Sequence, residues 1–162
     1  MTRKDDGEFE EALKRALKFL GYRARTKEQV RIKLTQLGFS QTTVEATVER
    51  LRSLNLLNDE TFARDWAMTR ATNHGHGLQR IERELRQKGI SESLIGPILQ
   101  ETFAEQGERE RAKALVQKRF AGKDLKDNKV LRRVIAFLQR RGYRDSDIVE
   151  LLGQPLDDPE NP

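Results

Sequence analysis

One pattern limits the possible folds more than any other: three segments of this 162-residue chain align on a glycine. They read "VRIKLTQLGFSQTTVEATV", "IERELRQKGISESLIGPIL" and "VIAFLQRRGYRDSDIVELL", with the glycines at Gly38, Gly89 and Gly142, so the period is 51 and then 53 residues. Val30, Ile81 and Val134 stand eight before the glycine, and Leu34, Leu85 and Leu138 four before. Val44, Ile95 and Ile148 follow at six, Val48, Leu99 and Leu152 at ten. Apolar spacings of four on both sides are helical. The glycine therefore separates two helices.

Its neighbours predict how the first helix stops. A Schellman ending puts an αL residue, usually glycine, at C′ and packs the C″ side chain on C3. Counting back from each glycine makes Leu34, Leu85 and Leu138 the C3 residues, to be covered by Phe39, Ile90 and Tyr143. Ser40, Ser91 and Asp145 then occupy the expected N-cap of the next helix. Gly38, Gly89 and Gly142 are read as structural helix stops, not phosphate cradles.

A further helix precedes each pair. "EEALKRALKFLGY" carries Leu13, Ala16, Leu17 and Leu20 at the 3.6 period, and "TKEQ" at 26–29 is a capping box for the following helix. "NDETFARDWAMTRA" offers Phe62, Ala63, Trp66 and Ala67 for burial, and "ERERAKALVQKRFAG" offers Ala112, Leu115, Val116 and Phe120. No stretch alternates with period two for long enough to form a strand. Units of this size stabilise one another by stacking. With 36% hydrophobic and 35% charged residues, a long shape suits the chain better than a sphere. The expectation is an all-α, elongated array of three tandem three-helix repeats at 8–57, 58–106 and 107–152. Residues 1–7 and the acidic, proline-rich tail 153–162 are expected to be disordered.

Little in the sequence points to catalysis. The chain has no cysteine, which removes disulfides, thiolate zinc sites and cysteine nucleophiles and suits a reducing cytosol. No signal peptide or membrane-length apolar run is readable, so a soluble cytoplasmic protein is expected. His74 and His76, in "NHGHGLQ", lack a thiol or carboxylate at ligand spacing and read as a glycine-loosened loop between helices. "AGKD" is not a P-loop, because Gln117 stands where its first glycine belongs and Asp124 where its hydroxyl belongs. Glu82 with Arg86, and Glu84 with Lys88, read as exposed i,i+4 pairs. No metal, cofactor or small-molecule substrate is expected, and the chain is read as a binder, not an enzyme.

Charge is distributed unevenly. Residues 107–142 carry 12 basic and 4 acidic groups, and residues 143–162 carry 1 and 6. The outline of a helix-turn-helix is present, but the helix after each glycine is a poor match for DNA: Ser40–Ser53 is neutral, and Ser91–Gln106 and Asp145–Leu152 are each −3. The basic groups lie on the earlier helices instead. In the third unit they are Lys129, Arg132, Arg133 and Arg140, with Lys113, Lys118 and Arg119 before them; in the first they include Arg25 and Arg31; Arg70 and Arg80 bracket the histidine loop. These are the candidate contacts to a polyanion or an acidic protein groove.

"LNLLNDETFARDWAMTRATNHGHGLQRIERELRQKGIS", with the run from Gly77 to Ile90 and the later "FLQRRGYRDSDI", closely resembles the RecX family of recombinase regulators, from about Leu13 to Leu152. The resemblance implies tandem three-helix repeats that bind the RecA recombinase, lie in the groove of its filament on single-stranded DNA, and inhibit recombinase, ATPase and coprotease activities in DNA repair and the SOS response. The alternative left by the residues alone is a general nucleic-acid-binding helical module that contacts phosphates through its basic helices.

Overall fold

In the computed structural model of the chain, residues 3–153 are described, with side chains from residue 6 onward. All regular structure among them is helical: α1 (Arg3–Leu20), α2 (Lys27–Gln36), α3 (Gln41–Ser53), α4 (Asp59–Thr72), α5 (Leu78–Gln87), α6 (Glu92–Thr102), α7 (Glu108–Arg119), α8 (Asn128–Arg140) and α9 (Asp145–Leu152). Three helices fall to each glycine-bearing repeat. α1 reaches back to Arg3, into the segment for which disorder was expected; residues 1, 2 and 154–162 lie outside the described residues.

The glycine stops form as the spacing predicts. Gly38, Gly89 and Gly142 have φ of 87°, 79° and 83°. The next N–H returns to the C3 carbonyl each time: Phe39 to Leu34 at 3.3 Å, Ile90 to Leu85 at 3.1 Å and Tyr143 to Leu138 at 3.2 Å. The glycine N–H groups reach Thr35, Arg86 and Gln139 at 3.0, 2.9 and 3.0 Å, completing the Schellman pair of bonds. Only glycine takes this φ without strain.

Helix starts follow the sequence less evenly. Thr26 closes the expected capping box with Gln29, and Ser40 caps α3 by accepting the Thr43 N–H at 3.3 Å. Asp145 does not cap α9. Arg144 occupies the N-cap position, which brings this helix into the same register as Ser40 and Ser91, and Asp145 instead accepts the Gln139 side-chain amide at 3.1 Å.

The chain divides into two compact units, and the division passes through α4, α5 and α6. One unit takes the chain up to Asp65 together with Leu85–Leu94; the other takes Trp66–Glu84 and the chain from Ile95 onward. In the first unit Ala12, Ala16, Val30, Leu34, Val44, Val48, Leu51 and Leu57 form the core, and Leu13, Phe19, Leu20 and Phe39 pack against it. Leu17, expected inside, is 43% exposed; Ala12 replaces it, because α1 presents its small residues to α2 and α3. Thr26 is buried in this unit, and its hydroxyl donates to the Lys88 carbonyl at 2.6 Å.

In the second unit Ala112, Val116, Val134, Leu138, Tyr143 and Ile148 form a core, flanked by half-buried Leu115, Phe120, Val130 and Phe137. The histidine loop is pinned, contrary to its glycine-rich appearance. Gly77 N–H donates to the Arg141 carbonyl at 2.7 Å and Gln79 N–H to the Gly142 carbonyl at 3.1 Å. A Cβ on Gly77 would stand 2.5 Å from the Gly142 oxygen, so this glycine permits two backbones to touch.

Candidate functional site

The pinned loop brings a buried polar cluster beside the basic α8. Glu84 accepts from Trp66 Nε1 at 3.0 Å and Arg80 Nε at 3.1 Å, and pairs with Arg70 Nε at 3.2 Å. The exposed helix-surface role expected for Glu84 is thus corrected: its side chain is largely buried, because Trp66 and Arg70 of α4 and Arg80 of α5 close over it. Burial alone opposes its ionisation, but the bonds from Arg80 and Trp66 and the charge of Arg70 outweigh that and hold the carboxyl below its ordinary range.

His76 also changes character. It is only 8% exposed, and its Nδ1 lies 3.5 Å from a Glu84 oxygen, so a carboxylate is near after all. Burial first, and the Arg80 charge next, push its pKa down to about 4. The imidazole is therefore neutral at neutral pH, and the contact is not an ion pair. No group of three or more His, Asp or Glu side chains among the described residues could hold a metal ion, nor is any described helix long and apolar enough to cross a membrane.

The candidate cations separate into two kinds. Arg70 stacks on Trp66 at 4.1 Å while pairing with Glu84, and Arg25 stacks on Phe19 at 4.0 Å. Arg31 forms a two-point pair with Glu45, at 2.8 and 3.1 Å, and Arg80 is held by Glu84 and the Arg140 carbonyl. Such groups are occupied within the fold. By contrast, Lys129, Arg132, Arg133 and Arg140 on α8, and Lys113, Lys118 and Arg119 on α7, are exposed and have no carboxylate partner among the described residues.

Three of these cations, Arg119, Arg133 and Arg140, line hollows in the second unit. The first, about 230 Å³, has Phe120, Val130, Ala136 and Phe137 as apolar lining and Arg119, Lys123, Arg133 and Arg140 as its polar lining. The second, about 430 Å³, joins the histidine loop to the end of α8 and contains Arg80, Arg140 and Arg141. Phe137 and Arg140 line both, and no carboxylate lines either. Lys123, Ala136 and Phe137 were not singled out by the sequence, although Arg133, Phe137 and Arg140, at i, i+4 and i+7, mark one helical stripe. The helix stops Gly38, Gly89 and Gly142 line neither hollow.

A helical array of this kind, with an exposed cationic face and a glycine stop in each repeat, belongs to the class of all-α tandem-repeat proteins. Three family models match in tandem: the first three-helix domain of RecX at 12–51, the second at 58–96 and the third at 107–152. A regulatory protein RecX from Mycobacterium sp. (strain KMS) is 37% identical over 155 residues, covering 90% of this chain and 84% of the relative. One from Trichlorobacter lovleyi is 39% identical over 139 residues, covering 85% and 90%. The crystal structure of RecX from Lactobacillus salivarius matches the fold with a TM-score of 0.77 at 20% identity, over 91% of this chain and 96% of that one. The chain belongs to the RecX family of regulatory proteins.

Proposed function

We propose that this chain binds RecA and its filament on single-stranded DNA in the cytoplasm and restrains the recombinase, ATPase and coprotease activities. Membership of a family of regulatory proteins supports a binding role. The observation that carries the site is the exposed α8 face, where Lys129, Arg132, Arg133 and Arg140 stand without carboxylate partners among the described residues. We assign secondary contacts to Lys113, Lys118 and Arg119, and treat 8–57, 58–106 and 107–152 as successive contact units. Several weak contacts on one chain add through effective concentration when a partner repeats along a filament.

The test is RecA's ATP turnover on single-stranded DNA with increasing amounts of this protein. Turnover should fall, and the triple reversal Lys129→Glu, Arg133→Glu, Arg140→Glu should weaken the effect at least tenfold. Turnover unchanged at saturating protein would refute the reading. A general nucleic-acid module is favoured by the same unpaired cations, and it differs in one outcome. If the triple reversal abolishes binding to naked DNA yet leaves RecA inhibition intact, α8 serves DNA alone.

A further inference from the structure

The hollow beside α8 has a shape that phosphate binding does not need. A surface that only neutralises phosphates requires cations, whereas here four cations ring an apolar cavity of about 230 Å³. Phe120 and Phe137 meet edge to face, with centroids 5.7 Å apart, and both rings contribute to its wall. Along α8 the order is Arg133, then Ala136 and Phe137, then Arg140. Two helical turns, about 10 Å, separate the two arginines. A cation, an apolar surface and a second cation in one stripe repeat the order of a nucleic-acid strand: phosphate, base, phosphate. The neighbouring hollow continues the cationic path through Arg140 to Arg141 and Arg80.

We propose that this cavity seats one unstacked base of a single-stranded nucleic acid between Phe120, Ala136 and Phe137, with the flanking phosphates on Arg133 and Arg140 and the strand leaving past Arg141. A peptide of acidic residues alone would meet the same charge but would leave the apolar wall unfilled. A duplex keeps its bases stacked inside and cannot present one to the cavity.

The test is made without RecA, so its failure leaves the regulatory reading standing and the failure of that reading leaves this one. Anisotropy of a labelled oligothymidylate of about 15 nucleotides is compared with that of an all-abasic phosphodiester of equal length, a duplex, and a polyglutamate of equal charge. The oligothymidylate should bind about 5- to 140-fold tighter than the abasic strand, the ratio equivalent to the ~1–3 kcal/mol of one base–aromatic stack. Ala136→Leu fills the cavity while leaving every cation in place; it should bring that ratio near one and leave the abasic affinity unchanged. Phe137→Leu, which removes the ring but keeps apolar bulk, should lower the ratio too. Equal binding of the abasic strand, duplex or polyglutamate by the unaltered protein would overturn the proposal, as would a helical, folded Ala136→Leu protein that keeps the base preference.

Discussion

Replacing each glycine stop by alanine separates a shared backbone role from a site-specific one. All three glycines lie in the left-handed region, where an L side chain costs roughly 1–2 kcal/mol. At Gly38 a Cβ would meet nothing within 4 Å, so Gly38→Ala should cost that strain alone. At Gly89 the Cβ would stand 2.3 Å from the Cβ of Glu28, an atom fixed by the α2 backbone, so that helix itself must shift. At Gly142 it would stand 2.3 Å from the Cβ of Arg80 and 2.6 Å from its backbone nitrogen, in the first turn of α5. Overpacking of this kind adds about 1–3 kcal/mol, and backbone cannot yield as a side-chain tip does. Gly142→Ala and Gly89→Ala should therefore each cost about 2–5 kcal/mol, and Gly38→Ala about 1–2 kcal/mol. Urea unfolding followed by far-ultraviolet circular dichroism reads the order directly. If Gly142→Ala proved no more costly than Gly38→Ala, the close packing of α5 against the third stop would not be a real constraint.

Two further perturbations test the buried polar groups. Thr26→Val keeps shape but removes the hydroxyl that accepts from Gln29 at 3.2 Å and donates to Lys88 at 2.6 Å; stability should fall by about 2 kcal/mol, and a loss under about 0.5 kcal/mol in the same urea assay would count against the buried bond. His76 remains neutral in the fold down to about pH 4 but takes up a proton below 6.5 when unfolded, so the unfolded state binds more protons between those limits and stability must fall as pH drops through them. Between pH 7 and pH 5 the loss should be about 2 kcal/mol, and His76→Gln should flatten it; an unaltered slope in that variant would assign the dependence to other groups.

What the sequence made legible is what adjacent residues determine. A Schellman stop needs only a glycine and apolar residues at C3 and C″, so all three were readable from spacing. The capping box at Thr26 is equally local. What escaped depends on residues distant in the chain. Glu84 has the spacing of an exposed helix pair, but Trp66 and Arg70 on α4 enclose it. Gly77 looks like a flexible joint until the Gly142 backbone is placed against it. Leu17 carries the correct period yet lies outside, since Ala12 and Ala16 permit the closer helix approach. For the same reason the cavity beside α8 was hidden: Phe120 was legible as core, while its partner Phe137 acquires meaning only when the end of α7 brings the two rings together.

The excess of positive charge in the third repeat has a structural origin that the count of residues does not reveal. Residues 107–142 contain four acids. Glu108 is buried and its carboxylate accepts the Leu78 N–H at 2.9 Å, at the start of α5. Asp124 accepts the Lys126 N–H at 2.9 Å, and Asp127 caps α8 through the Lys129 N–H at 2.8 Å. Glu110 lies in the first turn of α7, where the helix dipole favours it. Three of the four acids are thus directed to backbone at a turn or helix start, and Lys113, Lys118 and Arg119 of α7 and Lys129, Arg132, Arg133 and Arg140 of α8 are left exposed. In the first repeat the acids act differently: Glu11 pairs with Arg15, Glu45 with Arg31 and Glu49 with Arg52, so part of its basic charge is neutralised in place. Repeats built on one helical plan therefore offer unequal fields, and α8 presents an exposed positive one because Glu108, Asp124 and Asp127 are engaged in holding helix starts and a turn.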